Sequence, residues 1–395
     1  MTSPSTATDV VDALVPLPEG SAAHAVRHQR AKVVTATQGS YDSIFDPTLS
    51  GAPSLAERLL TAHAIARLAG SDVLQSHYQE RLETLALTPV QRAAMAGEPL
   101  QALEGGMRLQ ALLAFARTLT ERPVEGDQAA LLALPAAGLS TPEVVALAQL
   151  IAFVAYQLRV IAGLQALAEL GDDIHSTPPA TETAAAPFVH PANLPVPGEP
   201  VRVNGYTSET LDWKAWLPLV DLDLATPAQL AVLSASHPKA KESDYYRVLA
   251  HQPRILEERS IVFNAIMYAP GGLSRAEREL ASAVVSRVNG CVYCASVHAQ
   301  RFEQLTKRND VICQLFADPQ GAGTNARERA IVQLSIDLTA NPAGFGAAQL
   351  QAVRAAGLSN LEVLDVVHAV AIFAWANRLM LNLGEAVVPV PAAAA

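Results

Sequence analysis

The stretch "VNGCVYCASVHAQRF" sets Cys291, Cys294 and His298 at successive spacings of three and four residues. A helix turns about 100° per residue, so such spacing stacks all three side chains on one face. That face could run thiol chemistry. A free thiol has a pKa near 8.5 and is mostly protonated at neutral pH, so something must lower it. A helix opening near Cys291 would point its first N–H groups at that sulfur, which makes Cys291 the more acidic thiol on dipole grounds. His298, one turn beyond Cys294, can accept the Cys294 proton. Glu279, one helix earlier, reaches the same spot only if the two helices pack as a hairpin; it could then orient the imidazole or relay a proton. A thiolate that attacks a peroxide oxygen becomes a sulfenic acid, and a neighbouring thiol condenses with it to a disulfide.

Other chemistry fits parts of this pattern. A CxxC with a nearby histidine is half of a zinc site, but structural zinc takes four ligands and Cys313 lies in no second knuckle. Buried, inert cysteines beside a core histidine are the plainest alternative. A thioredoxin-type unit is disfavoured, because no βαβ pattern surrounds the motif.

The elements that must position these residues are helical. The 395 residues are half apolar, rich in alanine and poor in aromatics, a composition that favours helices. No alternating strand pattern of useful length occurs, so the expected fold class is all-α. The length allows two or three domains. An internal repeat organises them. "AERELASAVVSRVNGCVYCASVHAQRF" (276–302) aligns without a gap on "AERLLTAHAIARLAGSDVLQSHYQERL" (56–82). "AAGLSNLEVLDVVHAVAIFAWANRL" from residue 355 aligns on "AAGLSTPEVVALAQLIAFVAYQLRV" from residue 136, with a one-residue change of offset. Asn289-Gly290 signals a helix end, and each "GLS-x-x-E" signals a glycine stop followed by a serine-led capping box.

The expected organisation is an N-terminal arm at 1–50, a degenerate helical copy at 51–170, a Pro/Ala-rich linker at 171–210 and a catalytic copy at 211–390. Within the arm, "VVDALVPL" suits a short helix and "TQGSYDSIFDP" a loop. In the first copy Glu279, Cys291, Cys294 and His298 are replaced by Leu59, Ser71, Leu74 and Tyr78. That copy therefore reads as a built-in partner or a drifting duplicate, with His63 and His77 as ordinary structural histidines.

Charge and composition exclude several roles. With 28 basic against 38 acidic residues and a net charge of −10, a nucleic-acid surface is not expected. The N-terminus lacks a basic region followed by an apolar one, so a cytoplasmic location is expected. The apolar run at 144–164 is interrupted by Gln149, Gln157 and Arg159 and reads as a buried core helix, with no membrane partner. No Walker or dinucleotide motif is present. Tyr245, Tyr246, His251, Phe263 and Tyr268 could line a pocket over the thiols, although aromatics at helical spacing are more often core. His368 reads as buried, and Asn377 and Arg378 as braces of a helix end or interface.

The combination Glu279, Cys291, Cys294 and His298, with "VNGCVYCASVH" and the closing "WANRL", resembles the signature of the alkyl hydroperoxidase D-like branch of the carboxymuconolactone decarboxylase superfamily. The resemblance covers the second copy well and the first as a degenerate relative. It implies an all-helical fold, a cofactor-free thiol peroxidase and assembly into a homo-oligomer. It also implies Cys294 as the peroxide-attacking thiol, Cys291 as its resolving partner, and Glu279 with His298 as a proton relay. The substrate would be a small-molecule hydroperoxide, and the reductant an external dithiol such as a thioredoxin-like or lipoyl protein. Tyr293 stands where the best-studied branch has a second histidine between the cysteines. A decarboxylase or lactone-type enzyme and a non-enzymatic redox sensor are the alternatives.

Overall fold

The computed structural model describes residues 9–171, 188, 189, 191 and 205–389. Most of the segment expected to be a linker therefore lies outside the described residues. The chain opens with α1 (Val10–Leu14), α2 (Ala22–His28) and α3 (Ala31–Ile44). It continues with α4 (Leu55–Leu68), α5 (Asp72–Glu83), α6 (Pro89–Ala96), α7 (Met107–Glu121), α8 (Gln128–Ala136) and α9 (Thr141–Leu170). After β1 (Asp212–Ala215) come α10 (Pro227–Ser236), α11 (Asp244–Leu249) and α12 (Pro253–Met267). The last series is α13 (Arg275–Asn289), α14 (Val292–Thr306), α15 (Asp310–Ala317), α16 (Ala326–Ala340), α17 (Ala347–Ala355), α18 (Asn360–Asn382) and the short strand β2 (Gly384–Val387). The two strands pair antiparallel and are the only sheet among the described residues, so the fold is all-α.

The repeat seen in the sequence is a repeat of structure. Helices α4 to α9 and α13 to α18 follow in the same order, with the same short 3₁₀ turn after α7 and after α16. The capping boxes recur at Ser140 with Glu143 and at Ser359 with Glu362. An ion-pair triad recurs too: Arg108 binds Glu57 at 2.8 Å and Glu143 at 2.6 Å. Arg327 binds the matching Glu277 and Glu362. Chance similarity between alanine-rich helices would not duplicate a three-residue charge cluster joining three elements.

The copies share one core through α9 and α18, which pack lengthwise against each other. Both are apolar and long enough to cross a membrane, yet their most apolar windows are almost wholly buried inside the protein. Two arginines stitch the copies reciprocally. Arg159 of α9 donates to the carbonyl of Thr339 at 2.6 Å, and Arg378 of α18 donates to that of Leu119 at 2.9 Å. Each also donates to the carbonyl four residues earlier in its own helix. Along the contact of α9 with α18, Gly163 faces Val367, and an added Cβ would fall well inside van der Waals contact with both Val367 γ-carbons. Gly163→Ala is therefore expected to destabilise the protein by about 1–3 kcal/mol, the usual cost of overpacking. The check is urea unfolding, which should show a lower midpoint at an unchanged slope; an unaltered midpoint would mean that the helices part freely.

The stretch expected to be a loop at 37–47 is helical as far as Ile44. Tertiary packing overrides its turn-like composition. Helix α3 buries Val33, Ala36, Tyr41 and Ile44 and lies along α12. Gly39 sits where the Glu258 carboxylate of α12 comes so close that a Cβ would collide with it. Ser40 and Ser43 satisfy their hydroxyls on the carbonyls of Ala36 and Gly39 within the same helix.

Candidate active site

Helix α13 ends at Gly290, whose φ of 82° is the left-handed conformation glycine adopts without strain. The chain turns there, and the Cys291 amide closes the cap on the Ser286 carbonyl at 2.8 Å. Cys291 becomes the N-cap of α14, which then runs back along α13. This is the hairpin that the Glu279 expectation required. Glu279 in α13 is fully buried and bonds through Oε2 to Nδ1 of His298 in α14. Its Oε1 accepts from Arg275, one turn earlier in α13. Arg275 was not singled out in the sequence, although its i, i+4 spacing to Glu279 was a usable signal. The Arg275 guanidinium also lies 4.0 Å from the Tyr268 ring centroid.

Electrostatics follow from this arrangement. Burial alone would raise the Glu279 carboxyl, but the contacts with the His298 imidazole and the Arg275 guanidinium hold it below the ordinary carboxylate range. A carboxylate fixed on Nδ1 of His298 makes that nitrogen the protonated one and leaves Nε2 as the base. The imidazole is wedged edge-on against Phe373, with ring centroids 4.2 Å apart.

Both site cysteines are free and buried. The Cys291 thiol lies beside that of Cys294 and near the amides of Tyr293 and Cys294 at the opening of α14. Those amides lower its pKa, as the dipole argument expected. Burial and the neighbouring Cys294 sulfur outweigh them and push the Cys291 thiol well above its usual value. The dipole expectation that the helix start leaves the Cys291 thiol lowered is therefore not met. Helix N-termini favour thiolate only where the anion is not also stripped of water.

A cavity of about 720 Å³ opens onto this chemistry. Cys294, His298 and Glu279 line it together, and Cys291 is not among its lining residues. Tyr245, Tyr246, Phe263 and Tyr268 line it as well, whereas His251 points elsewhere and bonds the Pro218 carbonyl at 2.9 Å. Of these aromatics only Tyr245 is buried in the core; Tyr246 and Phe263 are half-buried and Tyr268 is exposed, so they serve mainly as cavity wall. Tyr293, between the two cysteines, also faces the cavity; burial and the nearby Cys294 push its phenol up to about 12, so it stays protonated. The ligand atoms of Cys291, Cys294, His298 and Glu279 do not converge as a shared metal ion would need. Among the described residues only Asp12, His24 and His28 do.

The remaining candidates have structural places. Asn377 bonds Asn289 and Ser286, both at 3.0 Å, and so ties α18 to the end of α13. His368 is buried, and burial pushes its imidazole down to about 4. Cys313 is exposed in α15. In the first copy Tyr78 occupies the His298 position and bonds Gln157 at 2.5 Å, while Leu59 and Leu74 pack in the core. His77 bonds the Tyr41 hydroxyl at 2.6 Å.

Residues 253–334 match the carboxymuconolactone decarboxylase family. The match runs from α12 into α16 and contains Glu279, Cys291, Cys294 and His298. Among solved structures, an uncharacterized peroxidase-related protein from Silicibacter sp. TM1040 is 22% identical. That similarity covers 40% of this chain and 86% of the other, with a TM-score of 0.36. No curated protein matches the chain.

Proposed function

We propose that this protein is a thiol peroxidase that reduces hydroperoxides by cycling Cys294 and Cys291 through a disulfide. The observation that carries the reading is the shared cavity. Cys294, His298 and Glu279 face one space, with the second sulfur directly behind Cys294. The carboxymuconolactone decarboxylase-family match over the same residues supports it.

Nε2 of His298 takes the Cys294 proton, directly or through a water, while Glu279 stabilises the imidazolium. The thiolate attacks the distal peroxide oxygen, the O–O bond breaks, and Cys294 becomes a sulfenic acid. The leaving alkoxide takes the proton from His298 and departs as an alcohol. The Cys291 thiol then attacks the Cys294 sulfur, forming the S–S bond and releasing water. An external dithiol reduces this disulfide by thiol–disulfide exchange and is itself oxidised. The raised Cys291 pKa suits the second role, since a protonated, cavity-shielded thiol does not compete for the peroxide.

Steady-state assay with a hydroperoxide and excess dithiothreitol is the test. Continuous consumption of one hydroperoxide per dithiol oxidised is expected. Oxidation that stops after one equivalent, with dithiol still present, would instead indicate a redox sensor.

A further inference from the structure

The cavity that exposes Cys294 also contains a cation with no partner. Arg259 of α12 is only 4% exposed and lines this cavity. Among the described residues its guanidinium makes no ion pair and no hydrogen bond, and its Nε is buried without an acceptor. Beside it the Tyr245 hydroxyl, also lining the cavity, is buried without a partner. The guanidinium carbon lies 5.4 Å from the Tyr245 ring centroid, so two unsatisfied donors occupy one corner. Four carboxylates line the same cavity: Asp212, Glu242, Asp244 and Glu279. None is within ion-pair distance of Arg259, and Glu279 is already held by His298 and Arg275.

A buried charge without a counter-ion is costly, and unpaired buried donors are uncommon. Cation–π contact offsets part of that cost: Arg259 also lies 5.6 Å from the Phe263 centroid. Such contact leaves the in-plane N–H fork of a guanidinium free, the geometry that grips a carboxylate. Phe263 is one helical turn beyond Arg259 on α12. Its ring contacts Phe373 at 6.0 Å, and Phe373 contacts His298 at 4.2 Å. Two phenylalanine rings therefore separate the free cation from the reacting end.

We infer that Arg259 and Tyr245 form a carboxylate-binding subsite, so that the preferred substrate is an organic hydroperoxide with an apolar, ring-sized body and a carboxylate at the far end. The substrate class rests on the peroxidase reading above; the anion subsite does not. Arg259 and Tyr245 act as binding and specificity residues and take no part in the bond changes at sulfur.

Two measurements separate the claims. Calorimetric titration of the intact protein with 4-isopropylbenzoate and with its neutral isostere, 4-isopropylbenzamide, tests the subsite without turnover. A charge-assisted hydrogen bond predicts about 10- to 100-fold tighter binding of the acid. That advantage should vanish in Arg259→Met, persist in part in Arg259→Lys and shrink in Tyr245→Phe. Equal binding of acid and amide to the wild type overturns the subsite, and this comparison needs no variant to fold. The second measurement is the ratio of kcat/KM for cumene hydroperoxide bearing a para-carboxylate to that for cumene hydroperoxide itself. The wild type should favour the acid about tenfold, and Arg259→Met should bring the ratio near one. If the acid binds selectively but neither hydroperoxide oxidises the dithiol, the peroxidase reading fails and the anion subsite stands. If both react equally well and acid and amide bind alike, the subsite fails and the peroxidase reading stands.

Discussion

Cys294→Ser is expected to lower hydroperoxide turnover by about three orders of magnitude or more, the scale on which loss of an enzymic nucleophile acts. A serine hydroxyl in the same place stays protonated and is a far weaker nucleophile toward peroxide oxygen. Cys291→Ser should behave differently. Cys294 still faces the cavity with His298 and Glu279, so one equivalent of peroxide is consumed at a rate close to that of the wild type. Without added dithiol the protein then rests at the sulfenic acid, because no second sulfur is behind it to condense. Stopped-flow mixing with a sulfenic-acid trap separates the two variants. The opposite pattern, with Cys291→Ser inert and Cys294→Ser trapped after one turnover, would reverse the roles of the sulfurs. Full activity in Cys294→Ser would favour a decarboxylase or lactone-type reaction, which needs neither thiol.

Asp365→Asn is expected to cost about 3–5 kcal/mol of stability, the range seen when one member of a buried ion pair is removed. Asp365 in α18 is buried and accepts from Arg30 through both oxygens at 2.7 Å. It accepts from Arg278 of α13 at 2.7 Å and from the Leu273 amide at 2.9 Å. One carboxylate thus neutralises two buried guanidinium groups and joins the start of α3, the start of α13 and α18. Neutralising it leaves two cations facing each other without water. Gly272 tightens the constraint: its φ is 66°, and a side chain there would strike Asp365 and Arg30. Urea unfolding measures the loss directly. A change below about 1 kcal/mol would put the triad among weak surface-type pairs. The first copy has no such triad. Arg58, matching Arg278, donates instead to the carbonyls of Ile44, Asp46 and Pro53.

Much of the site was legible in the residue spacing, because helical geometry is local. The 3-and-4 spacing put both sulfurs and the imidazole on one face, and the Asn-Gly stop predicted the turn that brings Glu279 across. The repeat was legible because two aligned blocks kept their order and their caps. What escaped reading depends on distance through space. The acidity of Cys291 was misjudged since helix-end amides can be inferred from position, whereas burial cannot. Helix α3 was missed because its packing against α12 outweighs its turn-like residues. Arg259 carries no pattern at all: one arginine in an amphipathic helix usually reaches solvent, and only the folded chain shows it enclosed among rings. The pocket aromatics share a helical spacing that suits core, yet only Tyr245 is buried, and spacing alone does not separate it from the exposed Tyr268.

The most direct test of the central claim is a thiol count on the unfolded wild-type protein before and after one equivalent of cumene hydroperoxide. All three cysteines should react beforehand. Afterwards only Cys313 should remain titratable, with peptide mapping placing a disulfide between Cys291 and Cys294. Three titratable thiols after treatment, or loss of Cys313 alone, would contradict the account.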